Sequence, residues 1–215
     1  MTKPNKYSEI VALLRKKYGI SFFERGEDPF YVLISTVLSQ RANDKTTYRI
    51  SPILFGQFST PKQFVAAKTS AIEKIIKPIG FYKTKAKRIK EISKIIVDKF
   101  DGKVPENLES LMSLPGVGRK TANCVLVYAF HKPAIPVDVH VHRISNRIGL
   151  VKTDKPEQTE QELMKIFKKK EWIIINELLV KHGQQTCKPV KPLCLEIPSS
   201  CPLVKMCDYF KNNAN

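Results

Sequence analysis

A chain of 215 residues, 42% of them hydrophobic, can bury one large core or two smaller ones and is too apolar to be disordered. No apolar run approaches the roughly 18–20 residues that cross a bilayer, and the basic start Met1-Thr2-Lys3-Pro4-Asn5-Lys6 lacks the apolar stretch of a signal peptide, so a cytoplasmic protein is expected. Lys+Arg 37 against Asp+Glu 20 leaves a net charge of +17, which favours a nucleic acid because each phosphate contact releases counterions; a lysine-rich surface of a heat-adapted protein, or an anionic membrane face, are the plainer alternatives.

Helix signals run through the chain and no convincing strand alternation interrupts them. Tyr7, Ile10, Val11, Leu14 and Tyr18 recur on one helical face. Asp28-Pro29 reads as an N-cap with proline at the first helical position, opening an apolar segment to Ser39, and Thr60-Pro61 repeats that signal. Ser70-Ala71-Ile72-Glu73 matches a capping box before a short helix that stops near Pro78 and Gly80. Ile89, Ile92, Ile95, Ile96 and Phe100 line one side of the next helix, opposite a lysine-rich side.

A helix over 105–113 then leads into the turn Leu114-Pro115-Gly116-Val117-Gly118, and another follows over 119–130. Asp138 is placed to cap the next one. The last long helices are expected over 156–167 and 171–182, the second closed by Gly183, with an irregular proline- and cysteine-rich tail beyond. Such a pattern makes an all-α fold.

The turn is the most informative stretch. Gly116 and Gly118 let the backbone bend tightly and approach another molecule with no Cβ in the way. The helix that follows presents unpaired N–H groups and a partial positive charge, against which a phosphate can sit. The spacing differs from GxxxxGK[ST], which excludes an ATPase loop. On spacing alone, a plain interhelical turn remains open.

Lys120 stands in the first turn of that helix, where the macrodipole and the adjacent Arg119 both disfavour a charged ammonium. A lysine of depressed pKa carries a lone pair near neutrality and can attack an electrophilic carbon; simple phosphate contact is the alternative. Asp138, in Pro136-Val137-Asp138-Val139-His140-Val141-His142-Arg143, can cap its helix and can also serve as a carboxylate that moves protons and offsets developing positive charge. His140 and His142, two apart on a helix, make a poor ligand pair and are assigned no catalytic role.

Five cysteines without an export signal argue against a disulfide framework. Cys187, Cys194, Cys201 and Cys207 cluster as C-x6-C-x6-C-x5-C, a metal-site pattern open to zinc or an iron–sulfur cluster, though without the tight CxxC pairs usual for zinc. Cys124, on an apolar face, reads as a buried small residue.

The run LPGVGRKTANCVLVYAF at 114–130, joined to VDVHVHR at 137–143 and the cysteine tail, resembles the endonuclease III family of helix–hairpin–helix DNA glycosylases. VLSQRAND at 37–44 and GFYKTKAKRI at 80–89 extend the likeness to nearly the whole chain. The resemblance implies two helical lobes with a DNA-binding cleft between them, one spanning 22–132 and the other combining 1–21 with 133–215 around a [4Fe–4S] cluster held by Cys187, Cys194, Cys201 and Cys207. It implies a monomeric, nucleoid-associated base-excision enzyme. Such an enzyme removes oxidised pyrimidines from duplex DNA and nicks the strand by β-elimination through a Lys120 Schiff base, with Asp138 assisting.

A mismatch glycosylase acting on uracil or thymine opposite guanine is the sister reading, and a non-enzymatic DNA-binding module with a four-cysteine zinc site the reading from another class. By family position, Arg41 and Phe81 would fill the gap left by a flipped nucleotide, Phe81 as an apolar wedge and Arg41 reaching toward the orphaned base, and Gln40 beside them would contact the DNA. Gly116, Gly118, Arg119 and Lys191, with its neighbour Lys188, would contact the DNA. Two departures stand out: Arg41 occupies a place where glutamine is commoner, and the interval between Cys194 and Cys201 exceeds the family's usual two residues, which is read as a loop bulge with Cys201 still a ligand.

Overall fold

The computed structural model describes residues 6–21 and 28–214, and among these every regular element is helical. In chain order they are α1 (Lys6–Tyr18), α2 (Pro29–Ser39), α3 (Asp44–Gln57), α4 (Pro61–Ala66), α5 (Thr69–Ile76), α6 (Tyr82–Lys99), α7 (Leu108–Met112), α8 (Arg119–Tyr128), α9 (Val139–Ile148), α10 (Pro156–Ile166), α11 (Trp172–Gln185) and α12 (Asp208–Asn213), with short 3-10 turns before α11 and in the tail. No helix among the described residues is long and apolar enough to cross a membrane. Internal contacts divide the chain into two compact units, Gly26–Lys132 and Met1–Arg25 with Pro133–Asn215.

The first of these units is organised around α2. Asp28 caps it, accepting hydrogen bonds from the Phe30 and Tyr31 amides at 2.9 and 3.0 Å, with Pro29 at the first position where a missing N–H costs nothing. Phe30, Val32, Leu33, Ile34, Val37 and Leu38 are buried, so α2 is apolar almost all round, as a helix enclosed by others must be. It packs on α3, α6 and α8. In α8, seven consecutive residues from Thr121 to Val127 are buried. Each fully buried aliphatic chain contributes about 1.5–3 kcal/mol of transfer free energy. Phe30, Phe55, Phe58 and Phe64 add edge-on and tilted ring contacts at 5.4–5.9 Å beneath α4.

In the other unit, α11 packs on α1 and α9, and α9 also meets α10 and α12. The core draws Ile10 and Leu14 from α1, Val141, Ile144 and Ile148 from α9, and Leu178 and Leu179 from α11. The cysteines Cys187, Cys194 and Cys201 join that same core.

Several boundaries differ from the sequence expectations. α5 begins at Thr69 after an uncapped Lys68, so the capping box at Ser70–Glu73 does not form; the helix has already turned before Ser70 is reached. α7 starts only after Asn107, whose side chain accepts from the Ser110 amide at 2.8 Å, and α8 ends at Tyr128. α3, which the sequence patterns do not delimit, runs through Pro52. The tail is less irregular than expected and ends in α12.

Gly183 does not close α11 but lies inside it. A Cβ there would stand 2.6 Å from His140 Nδ1 and 2.8 Å from Ile144 Cδ1, so the missing side chain lets α9 and α11 approach. A helical glycine on an open surface gains about 1 kcal/mol on mutation to alanine. Gly183→Ala is expected instead to lower stability by about 1–3 kcal/mol through overpacking, measurable as an earlier thermal melt.

Candidate nucleic-acid interface and cysteine site

The turn between α7 and α8 is anchored by Leu114 and Val117, both buried, with the Val117 amide bonded to the Leu114 carbonyl at 3.1 Å. Between them Gly116 has φ +72°, left-handed backbone that glycine adopts without steric penalty. Its Cα face is closed by Arg88: a Cβ would fall 2.4 Å from Arg88 Nε. Gly118 is the N-cap of α8 and supplies no side-chain cap. Arg119 and Lys120, both half-buried, occupy the first turn of α8.

Gln40 ties this turn to the end of α2. Its Nε2 donates to the Gly116 carbonyl at 2.9 Å and to Thr121 Oγ1 at 3.2 Å, while its Oε1 accepts from Arg88 Nη1 at 3.4 Å. The amide is thereby spent on the protein. Arg41, next in sequence, is exposed and left-handed at φ +49°.

Phe81 shares that conformation at φ +61° and is 65% exposed. An apolar ring so exposed, on strained backbone, is not a core residue. The two segments are neighbours, since a Cβ on Gly80 would lie 3.5 Å from the Arg41 carbonyl. Gln40, Arg41, Phe81, Gly116, Gly118, Arg119 and Lys120 thus all belong to one unit.

Asp138 belongs to the other unit. It caps α9, its Oδ1 accepting from the His140 and Val141 amides at 2.9 and 2.8 Å. His140 Nδ1 pairs with Arg143 Nη2 at 3.1 Å and His142 Nδ1 with Thr159 Oγ1 at 2.7 Å, so both histidines have structural partners.

All four tail cysteines are buried and outside any disulfide, as is Cys124. Burial pushes the Cys201 thiol up to about 12, and the nearby Cys194, Cys207 and Cys187 add like-charge repulsion. Burial likewise raises Cys194 and Cys207. Around them stand potential donors. Arg147 Nη1 lies 3.6 Å from Cys187 Sγ, and His182 Nε2 lies 3.9 Å from Cys201 Sγ.

His182 Nδ1 pairs with the Tyr18 hydroxyl at 2.8 Å, and burial, helped by Lys17 and Arg143, pulls the ring down to about 4. Arg143 and Arg147 brace the loop backbone through the Cys187, Lys188 and Pro189 carbonyls at 2.7–3.0 Å. Lys188 and Lys191 are exposed on that loop. The longer interval between Cys194 and Cys201 projects outward: residues 195–199 are exposed, with 3-10 turns at Leu193–Leu195 and Pro198–Ser200.

Residues 34–169 match the model of the HhH-GPD superfamily of base excision DNA repair proteins. A curated relative, endonuclease III of Thermotoga maritima, is 50% identical over 184 residues, covering 86% of this chain and 84% of its own. The chain belongs to the endonuclease III family. Endonuclease III of a Synechocystis species is 36% identical over 96% of this chain and 93% of its own. Among solved structures, a trapped endonuclease III–DNA covalent intermediate superposes with a TM-score of 0.87 at 35% identity, covering 99% of this chain and all of that one.

One residue of this endonuclease III family site escaped the sequence reading. Lys85 is only 3% exposed, and its Nζ donates to the Leu38 carbonyl at 2.8 Å. The signal was available: Lys85 falls on the same helical face as Ile89, Ile92 and Ile96. It holds the last turn of α2, and with it the start of the Gln40–Arg41 loop, favoured by the negative end of the helix dipole.

Burial, reinforced by Arg88, lowers Lys85 from 10.5 to about 8. Between those values the unfolded chain binds the proton more tightly than the native one, so native stability rises as pH climbs from about 8 towards 10.5. Lys85→Met is expected to flatten that rise in urea melts taken across the window; an unchanged slope would mean that the amine titrates normally.

Proposed function

We infer that this protein performs base excision through the amine of Lys120, as a bifunctional DNA glycosylase and AP lyase acting on oxidised pyrimidines in duplex DNA. The observation that carries the reading is Lys120 in the first turn of α8, directly after the Gly116–Gly118 hairpin. Support comes also from the 35% identical structure described as a covalent DNA intermediate. The hairpin and the start of α8 bind phosphate through backbone N–H groups, while Gln40 keeps the hairpin in shape. Phe81 serves as an apolar wedge in the space vacated by the flipped nucleotide, and Arg41 reaches to the orphaned base.

The chemistry is nucleophilic substitution followed by elimination. Lys120 Nζ attacks C1′ of the deoxyribose, and the C1′–N bond breaks as the damaged base leaves with a proton. The sugar ring opens to a protonated Schiff base between Nζ and C1′. That iminium acidifies C2′; loss of a C2′ proton forms a C2′=C3′ double bond as the C3′–O bond breaks and the 3′ phosphate leaves with its electron pair. Asp138 offsets the positive charge that develops on the sugar and assists the proton transfers. A first-turn position at the positive end of α8 favours the neutral amine that this requires.

The four buried thiols fit a [4Fe–4S] cluster better than zinc. Their spacing lacks the tight CxxC pairs usual for zinc, and all four are buried, a soft thiolate set that suits an iron–sulfur cluster. Cys187, Cys194, Cys201 and Cys207 would hold it, with Arg147 and His182 directed at sulfurs. When bound, the cluster supplies a cross-link that orders the loop bearing Lys188 and Lys191 for phosphate contact. The protein works in the cytoplasm with the nucleoid.

Borohydride should trap the wild-type chain covalently on duplex containing thymine glycol or an abasic site, more readily than on uracil or thymine opposite guanine. Lys120→Gln should reduce trapping to background while keeping salt-sensitive binding, and persistence of trapping would sink the assignment. Because asparagine caps about as well as aspartate, Asp138→Asn should leave the melt near wild type yet slow turnover by about 10²–10⁴-fold. The purified protein should be yellow-brown, with iron and sulfide, and Cys201→Ser should bleach it. Colourless protein with stoichiometric zinc would overturn the cluster.

A further inference from the structure

The basic side chains of α6 have unlike surroundings. Lys85 turns inward to the Leu38 carbonyl, and Lys90 is hydrogen-bonded to the Ala67 carbonyl between α4 and α5. Lys83, Lys87 and Arg88 instead line one open groove of about 390 Å³ with Thr84 and Glu91. Lys83 and Lys87 are exposed and one helical turn apart, which sets their Cβ atoms about 6 Å from each other on one face, on the scale of neighbouring phosphates along a strand.

The groove lies beside two features of its unit that the proposed function places at DNA. At one end Arg88 lies under Gly116 of the hairpin. At the other, α6 begins directly after the exposed Phe81. Three cations against a single carboxylate suit a polyanion and would repel a basic surface. Lysines that are not pinned to protein carbonyls, as Lys85 and Lys90 are, can swing to meet oxygens along a flexible backbone.

We propose that this groove is a further phosphate-binding surface, seating the DNA backbone that flanks the Phe81 wedge. Lys83 and Lys87 neutralise consecutive phosphates, the Thr84 hydroxyl donates to a third oxygen, and Glu91 repels the strand and so marks where it leaves the helix. The proposal rests on the DNA-repair reading above, and reaches beyond it to how far the duplex is gripped outside the hairpin.

The test is the salt dependence of binding by the full, metal-loaded chain to a duplex carrying a reduced abasic analogue. Replacing two phosphate contacts in Lys83→Gln/Lys87→Gln should lower the slope of log affinity against log salt by about 1.8. The loss of affinity between roughly 50 and 200 mM salt then becomes about tenfold smaller than for wild type. Lys169→Gln/Lys170→Gln, which removes the same charge from exposed positions of the other unit, should leave the slope unchanged. Glu91→Gln should tighten binding.

An unchanged slope in the groove variant, or an equal fall in the charge-matched control, overturns the proposal. A melt by circular dichroism confirms that each variant folds, and Glu91→Gln, which removes a charge rather than a contact, provides an independent reading if the lysine variant does not. Borohydride trapping by the wild-type chain on an abasic duplex reports the lyase chemistry separately from these slopes. If even the wild type is not trapped, it is the lyase chemistry that fails, and the binding slopes still decide the groove.

Discussion

The side-chain amide of Gln40 reaches three parts of one unit at once. Through Nε2 it holds the Gly116 carbonyl and the Thr121 hydroxyl, and through Oε1 it accepts from Arg88. The end of α2, the hairpin and α6 are thus registered against one another by a group that can donate and accept at the same time. No apolar side chain could do this, and a carboxylate could not donate to the Gly116 carbonyl. Lys85 secures the neighbouring turn from inside, at the Leu38 carbonyl. The exposed and conformationally strained Arg41 and Phe81 can then stand on loops whose bases are fixed. Strain of that kind persists only where the surroundings over-determine it.

The other unit is held by a different logic. Its helices share an ordinary aliphatic core, but after α11 the described chain forms only short 3-10 turns and the six-residue α12. Cys187, Cys194 and Cys201 are carried into that core and Cys207 is buried beside it; burial raises the pKa of Cys194, Cys201 and Cys207. A metal centre bound among them, as proposed above, would reverse that balance and turn buried thiols into ligands. Arg143 and Arg147 complete the arrangement by holding the carbonyls of the loop from α9, so that helix links Asp138 at its start to the cysteine loop along its side.

Much of this was legible in the sequence where one local interaction decides the outcome. Asp28, Thr60 and Asp138 announce helix starts because a cap needs only its own next turn. The same logic misleads at Ser70, where the pattern is present but the helix has already begun at Thr69. Gly183 misleads for the opposite reason: its purpose is the approach of another helix, which no neighbouring residue reveals. The hairpin, Lys120 and the cysteine set were visible as types and spacings. That Gln40 faces the hairpin while Arg41 faces outward was not, because two adjacent polar residues at a helix end offer no periodicity to separate them. Lys85 could have been found, as a lysine on an isoleucine stripe.

The outward bulge between Cys194 and Cys201 has a bearing on how such chains are found. Five exposed residues there, Ile197 among them at 56%, lengthen the interval without drawing either thiol from the interior. Residues added on the solvent side thus change the spacing of these cysteines along the sequence without changing which of them are buried. A pattern written around a fixed number of intervening residues would pass over this polypeptide; one written around which cysteines lie inside would not.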